Sequence, residues 1–193
     1  EIAAHLLYAM EYTGQPADRT LEARLEQAKR RIMKAEAYRE IMNLMSAHVH
    51  CCLNQDYEEE LEKYWSKRED IVYANGALAY VGQQAVRRYY VEAAKRRSEQ
   101  ARQQLSAMGK PVPEGDKTPG YKNMNLIGTP YIEIAEDGLT AQGIWMAHSF
   151  MGCIGEDGNL KTQGVLSRYS GEFILEDGQW KIWHRRNYAD VVF

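Results

Sequence analysis

The stretch MSAHVHCCLNQ, residues 45 to 55, sets two histidines beside two adjacent cysteines. Histidine and cysteine are both metal ligands, and histidine also moves protons near neutral pH. On a helix His48 and Cys52 are four residues apart and share a face, whereas His50 and Cys51 point elsewhere. All four cannot meet one ion. A zinc site would need ligands from far along the chain, and no spaced Cys or His pair supplies them; Cys153 stands alone in a strand. No metal is therefore expected. Cys51 and Cys52 read as small helix residues, since unbridged cysteine packs as a small hydrophobe. His48 falls on a stripe with Ile41, Leu44, Met45 and Cys52 and should face inward. Two roles fit it: a core histidine bonded to a carbonyl or water, or a general base in a cavity. His50 lies on the polar side with Arg39, Asn43 and Ser46 and reads as solvated.

A second set lies near the C-terminus. Strict alternation along QWKIWHRRNY puts Trp180, Ile182, His184, Arg186 and Tyr188 on one face and Lys181, Trp183, Arg185 and Asn187 on the other. Trp180 and Ile182 are the better core pair, so His184, Arg186 and Tyr188 are expected to point into the interior. A buried arginine there could hold an enolate or carboxylate. The competing reading is a cross-strand ion pair with Glu172, or contact with a partner. On GIWMAHSFMG, Ile144, Met146, His148 and Phe150 share a face opposite Trp145, and periodicity leaves open which face is inside. Trp65, Tyr73, Trp145 and Tyr169 suit the wall of a pocket, and plain core serves equally. Asn54 and Asn125 could orient a carbonyl, and a turn role fits Asn54 as well.

These residues need elements to hold them. Residues 1–12 read as a short helix ending at TGQPAD. A long helix begins near Thr20, a candidate cap, and carries Leu21, Leu25, Ala28, Ile32 and Ala35 as one apolar stripe before drifting to the His48 stripe. It should end between Leu53 and Asp56. DYEEELEKYW follows as a short helix, IVYANGALAYVG as a hairpin, and QQAVRRYYVEAAKRRSEQARQQLSAM as a helix. From Thr129 onward, long strand patterns are divided by Asp-Gly turns at 137–138, 157–158 and 177–178, the mark of an antiparallel meander. The result is an α+β domain in which helices pack on one face of a bent sheet, an arrangement that leaves a conical cavity for a small molecule.

The bulk properties narrow the function. Apolar residues make up 45% and charged residues 26% of the 193, the net charge is −3 and the pI is near 6.0. Nothing draws this surface to nucleic acid or anionic lipid. No run approaches the length of a membrane span. Three cysteines make no disulfide framework, which points to a reducing, cytoplasmic setting. The opening EIAAHLLYAM lacks a charged leader and a cleavage pattern and is not read as a signal peptide.

The order of elements resembles the SnoaL-like branch of the nuclear-transport-factor-like superfamily. That superfamily includes polyketide cyclases, scytalone dehydratase, ketosteroid isomerase, bile-acid dehydratase and a hexachlorocyclohexane dehydrochlorinase. The resemblance rests on AYREIMNLMSAHVHCCLNQDYEEELEKYWS, NGALAYVGQQAVRRYY, TPYIEIAEDGLTAQGIW and YSGEFILEDGQWKIWHRR, roughly residues 36 to 190. It implies a cone-shaped barrel over 36–193 behind an N-terminal helical extension, 1–35. It also implies an acid/base dyad, an Asp or Tyr near the end of the long helix and a His just before the TP strand. This chain departs at both places: Asn54 stands where an Asp often follows Cys-Leu, and NMNLIG carries Asn125 and no histidine. The resulting expectation is a cofactor-independent lyase or isomerase acting on a hydrophobic, oxygenated ring compound. His48 would be its base, and His184, Arg186 and Tyr188 would polarise or protonate the substrate. The alternative is a small-molecule-binding or assembly subunit that has lost the dyad. A homo-oligomer, dimer or trimer, is expected because the N-terminal stripe needs a cover. Residues 95–124 read as a lid, a subunit contact or a solvated helix and loop.

Overall fold

Helix α1 runs from Ala17 to Asn54, 38 residues and about 57 Å at 1.5 Å per residue, in a computed structural model that describes residues 17–192 apart from 113 and 116, with side chains from Thr20 on. The short helix expected over 1–12 lies outside the described residues. Thr20 sits inside α1 rather than at its cap. The C-terminal half of α1 buries the stripe that its period predicts: Ala37, Ile41, Leu44, Met45, His48 and Cys52. Leu21, Leu25 and Ile32, on the other half, remain exposed.

A sharp turn at Gln55, φ +58, redirects the chain into α2, Tyr57–Lys63. The spacing of three residues brings Tyr57 and Glu60 to the same buried face of α2. Strands β1 (Val72–Asn75) and β2 (Leu78–Val81) form the hairpin, closed by Gly76 at φ +57. Next come α3 (Gln83–Arg87), a π-helical turn over Arg88–Glu92, and α4 (Ala93–Ala107). The wider π turn carries Tyr89 and Tyr90, and such turns recur at functional sites. The long strands are β3 (Lys122–Ile134), β4 (Thr140–Ile154), β5 (Leu160–Glu176) and β6 (Gln179–Val192).

The six strands form one sheet in the order β2-β1-β6-β5-β4-β3. All pairs are antiparallel except β1 with β6. Aromatic and aliphatic residues from the inner face, among them Trp145, Phe173 and Ile182, close the core against α1 and Trp65. On β4 the inner face carries Trp145, Ala147 and Ser149; Ile144, Met146, His148 and Phe150 look outward.

One irregularity controls the interior. In the β5–β6 ladder Phe173 pairs with Ile182, but Glu172 pairs with His184, so Trp183 is an extra residue on β6. A β-bulge of this kind shifts the alternation by one. Trp180 and Ile182 face in as the sequence predicts; beyond the bulge the buried residue is Arg185, not His184.

Candidate active site

The inner face of the sheet, the end of α1, α2 and the π turn enclose a cavity of about 280 Å³. Its wall takes Cys52 from α1, Tyr57 from α2, Tyr73 and Asn75 from β1, and Tyr89 and Tyr90 from the π turn. Asn125 of β3, Ser149 of β4, Tyr169 of β5, and Arg185 and Asn187 of β6 complete its polar side. Arg97 of α4 and Tyr121 also reach it, with the guanidinium of Arg97 4.8 Å from the Tyr121 ring centre. The 95–124 segment thus contributes wall as well as surface.

Arg185 is the charge of the site, 3% exposed. Its Nη1 donates to Tyr90 Oη at 3.0 Å, and its guanidinium lies over Tyr169, 4.6 Å from the ring centre. Burial works against its charge, but the phenols of Tyr90, Tyr73 and Tyr169 outweigh that and raise the guanidinium pKa above its ordinary value. The Nε of Arg185, the Oγ of Ser167 and the Oδ1 of Asn187, all on wall residues, are buried without a hydrogen-bond partner. Unsatisfied buried groups of this kind are costly unless something polar meets them. Around them runs a hydroxyl network. Asn187 Nδ2 donates to Tyr73 Oη at 2.9 Å, and Tyr73 donates to Tyr89 Oη at 3.0 Å. Asn125 Oδ1 accepts from Ser149 Oγ at 2.5 Å and from Tyr169 Oη at 2.8 Å. Burial raises the phenols of Tyr73 and Tyr90 well above their usual pKa, so both stay protonated donors.

Behind Cys52 lies a second buried group. His48 Nδ1 is 2.6 Å from Glu60 Oε1, with His48 1% and Glu60 0% exposed. Trp65 Nε1 donates to the same oxygen at 3.1 Å. The Cys52 Sγ is 3.7 Å from His48 Nε2, 4.0 Å from Nδ1 and 3.7 Å from Glu60 Oε2. Burial, then the charge of Arg185, lowers the His48 pKa. Burial works to raise that of Glu60, but the charge and hydrogen bond of His48, the Trp65 donor and Arg185 bring it below its ordinary value. The consistent state is a neutral imidazole donating Nδ1–H to an ionised Glu60, whose charge Arg185 balances. The donor atoms of His48, Cys52 and Glu60 lie within 4.8 Å of one another, a set that could hold a divalent cation. Glu60 of α2 is the remote ligand that the sequence did not reveal, an acid within the run DYEEELEK.

The residues singled out from sequence divide as follows. Tyr73, Asn125 and Tyr169 meet in the cavity. His48 faces inward but is packed behind the wall. Trp65 and Trp145 are core, and Asn54 is an exposed residue at the end of α1. The inward placement expected for His184, Arg186 and Tyr188 is corrected by the bulge at Trp183: they line a shallow groove on the outer face with Tyr131 and Glu172. There His184 Nδ1 pairs with Glu172 Oε2 at 2.8 Å, and its Nε2 contacts the Asp70 carbonyl at 3.0 Å. His148 is on the outer face too, its ring 4.3 Å from that of Phe150. Arg185, Glu60, Tyr89 and Tyr90 are the residues that sequence reasoning missed.

The same architecture occurs in solved structures. A candidate scytalone dehydratase from Novosphingobium aromaticivorans superposes with a TM-score of 0.61 at 13% identity, over 83% of this chain and 89% of that one. A hexachlorocyclohexane dehydrochlorinase of type 3 from Novosphingobium barchaimii gives 0.57 at 14% identity, over 84% and 92%. A nuclear-transport-factor-2-like protein from Salmonella enterica serovar Typhimurium gives 0.57 at 13%, over 82% and 94%. At these identities the likeness shows the fold alone. No curated protein matches the chain. Residues 33–186 match the SnoaL-like domain, covering every strand up to the Arg185 position, and the chain belongs to that family.

Proposed function

We propose that the chain is a cofactor-independent lyase or isomerase that moves a proton on a hydrophobic, oxygenated ring compound held in the cavity. The observation that carries this reading is Arg185. A buried cation with an unbonded Nε, ringed by tyrosine hydroxyls, suits a developing enolate or alkoxide better than any neutral group. The folds of a candidate scytalone dehydratase and a dehydrochlorinase support elimination chemistry of this class. A thermal-shift panel of steroids, polyketides and phenolic compounds tests it, followed by an assay of each binder for water loss or double-bond migration. Binders that Arg185→Met no longer recognises, and that wild type converts, support the reading; binders returned unchanged overturn it.

One observation favours the binding-only alternative. Among the described residues, no Asp, Glu or His side chain lines the cavity. Under either reading we propose a homo-oligomer. Leu21, Leu25 and Ile32 on α1, and Tyr131, Met146 and Leu166 on the outer face, are exposed large apolar side chains, and a second copy would cover them. Among the described residues no helix is long and apolar enough to cross a membrane.

A further inference from the structure

The cavity wall carries charge of one sign only. Among the described residues that line it, Arg97 and Arg185 are the charged ones, and no Asp, Glu or His joins them. Arg185 is 3% exposed, and Glu60 balances its charge from behind the wall. Arg97 of α4 enters no ion pair among the described residues. The acids at the start of α2 are already taken, Glu58 by Arg87 and Lys95, and Asp56 by Lys117. The Nε atoms of both arginines are buried without a hydrogen-bond partner, which is costly unless an acceptor meets them. Each guanidinium also lies over a phenol ring, Arg97 over Tyr121 at 4.8 Å and Arg185 over Tyr169 at 4.6 Å from the ring centre. A guanidinium held this way keeps edge N–H groups for a planar oxyanion.

The two cations have different neighbours. Arg185 donates to Tyr90, Tyr90 packs on Tyr57 with ring centres 5.7 Å apart, and Tyr57 in turn lies in the field of Arg97. The path between them thus passes two phenol rings. We propose that the ligand is a ring acid, a compound of one or two rings whose carboxylate is held by Arg97 and whose carbonyl or hydroxyl oxygen reaches Arg185. This rests on the reading of the cavity as the ligand site, not on the lyase assignment. Arg185, balanced by Glu60, suits an oxygen that is neutral in the bound compound and gains charge during reaction. Arg97, unbalanced, suits an oxygen pair that is charged throughout. Asn187 Oδ1, an acceptor without a partner in the same wall as Arg185, can take the proton of a ligand hydroxyl. The volume of about 280 Å³ is at the small end of ligand sites and fits rings of this number.

The test compares each acid with its neutral ester. The probes are 4-hydroxybenzoate and 6-hydroxy-2-naphthoate, which differ in length, and their methyl esters, titrated calorimetrically into the full chain. The parent should bind at least one acid about tenfold or more tightly than its ester, the worth of a charge-assisted pair. Arg97→Gln should erase that preference, and Arg97→Lys, which keeps the charge but not the planar fork, should restore part of it. Arg97 is only half-buried, so Arg97→Gln should melt with the parent; the acid-to-ester ratio of the parent stands independently of any variant. Arg185→Met should weaken acid and ester by the same factor and leave the preference in place. An acid preference that survives Arg97→Gln but vanishes in Arg185→Met puts the carboxylate at the wrong end and overturns the proposal. Acids and esters that bind the parent equally also overturn it, and the cavity then stands as a ligand site for neutral compounds. If neither acids nor esters bind, both inferences fall.

Discussion

The Nδ1 of His48 and the Oε1 of Glu60 meet at 2.6 Å with both side chains out of solvent, which ties the end of α1 to α2 through a short buried polar contact. Removing one partner leaves the other buried and unsatisfied, at a cost of about 3–5 kcal/mol. Glu60→Ala should lower stability by that amount in urea titrations without changing the slope against denaturant. Ile182→Ala, a purely apolar deletion at the same layer, should cost about 2–5 kcal/mol.

The same pair sets an acid limit. His48 is held below its unfolded pKa of about 6.5, so its contribution is complete above that value and declines as pH falls through 6.5 toward the folded pKa. Glu60 is also held below its unfolded value, so its contribution is lost at still lower pH, beneath about 4.5. Both act in one direction. Unfolding free energy measured against pH should begin to fall just below pH 6.5 in the parent, and that first decline should vanish in a folded His48→Gln variant.

Arg185 should dominate ligand recognition. Arg185→Met removes the charge-assisted hydrogen bonds that a ligand oxygen would accept, worth about 1.5–3 kcal/mol each. Isothermal titration with any cavity binder should show affinity falling by about tenfold or more, with the largest loss for phenolate or enolate analogues.

The outer-face residues should be silent in that measurement. His184→Ala, Arg186→Ala and Tyr188→Ala sit across the sheet from the ligand, and cavity affinity should change by less than about 0.5 kcal/mol. Equal loss in these variants and in Arg185→Met would contradict the sidedness described above.

Self-association should respond to the exposed apolar stripe. Leu25→Glu with Ile32→Glu places two charges on a surface that a second copy would cover. Light scattering behind size-exclusion chromatography should show an oligomer in the parent and a single-chain mass in the double variant.

What the sequence discloses and what it hides follow from periodicity. The α1 stripe is legible because an uninterrupted helix keeps its 3.6-residue period, and Ile41 through Cys52 are buried as it predicts. The meander is legible because Asp-Gly turns punctuate it, with Gly138, Gly158 and Gly178 at positive φ. Arg185 was hidden because an extra residue on one strand leaves no mark in composition. Glu60 was hidden among Glu58, Glu59 and Glu62, and only the three-residue step from Tyr57 and the four-residue step to Tyr64 distinguish it. Cys52 was visible as a stripe residue, yet its contact with a carboxylate from α2 depends on the turn at Gln55.

The bulge at Trp183 makes strand register a chemical variable. Pairing Trp183 into the ladder as an ordinary residue would turn His184 into the cavity and Arg185 to the outside, whereas deleting Trp183 would leave Ile182, His184 and Arg185 alternating in, out and in, with the guanidinium still inside. Two sets of polar side chains are thus written into one strand, and the local pairing selects which of them the cavity receives.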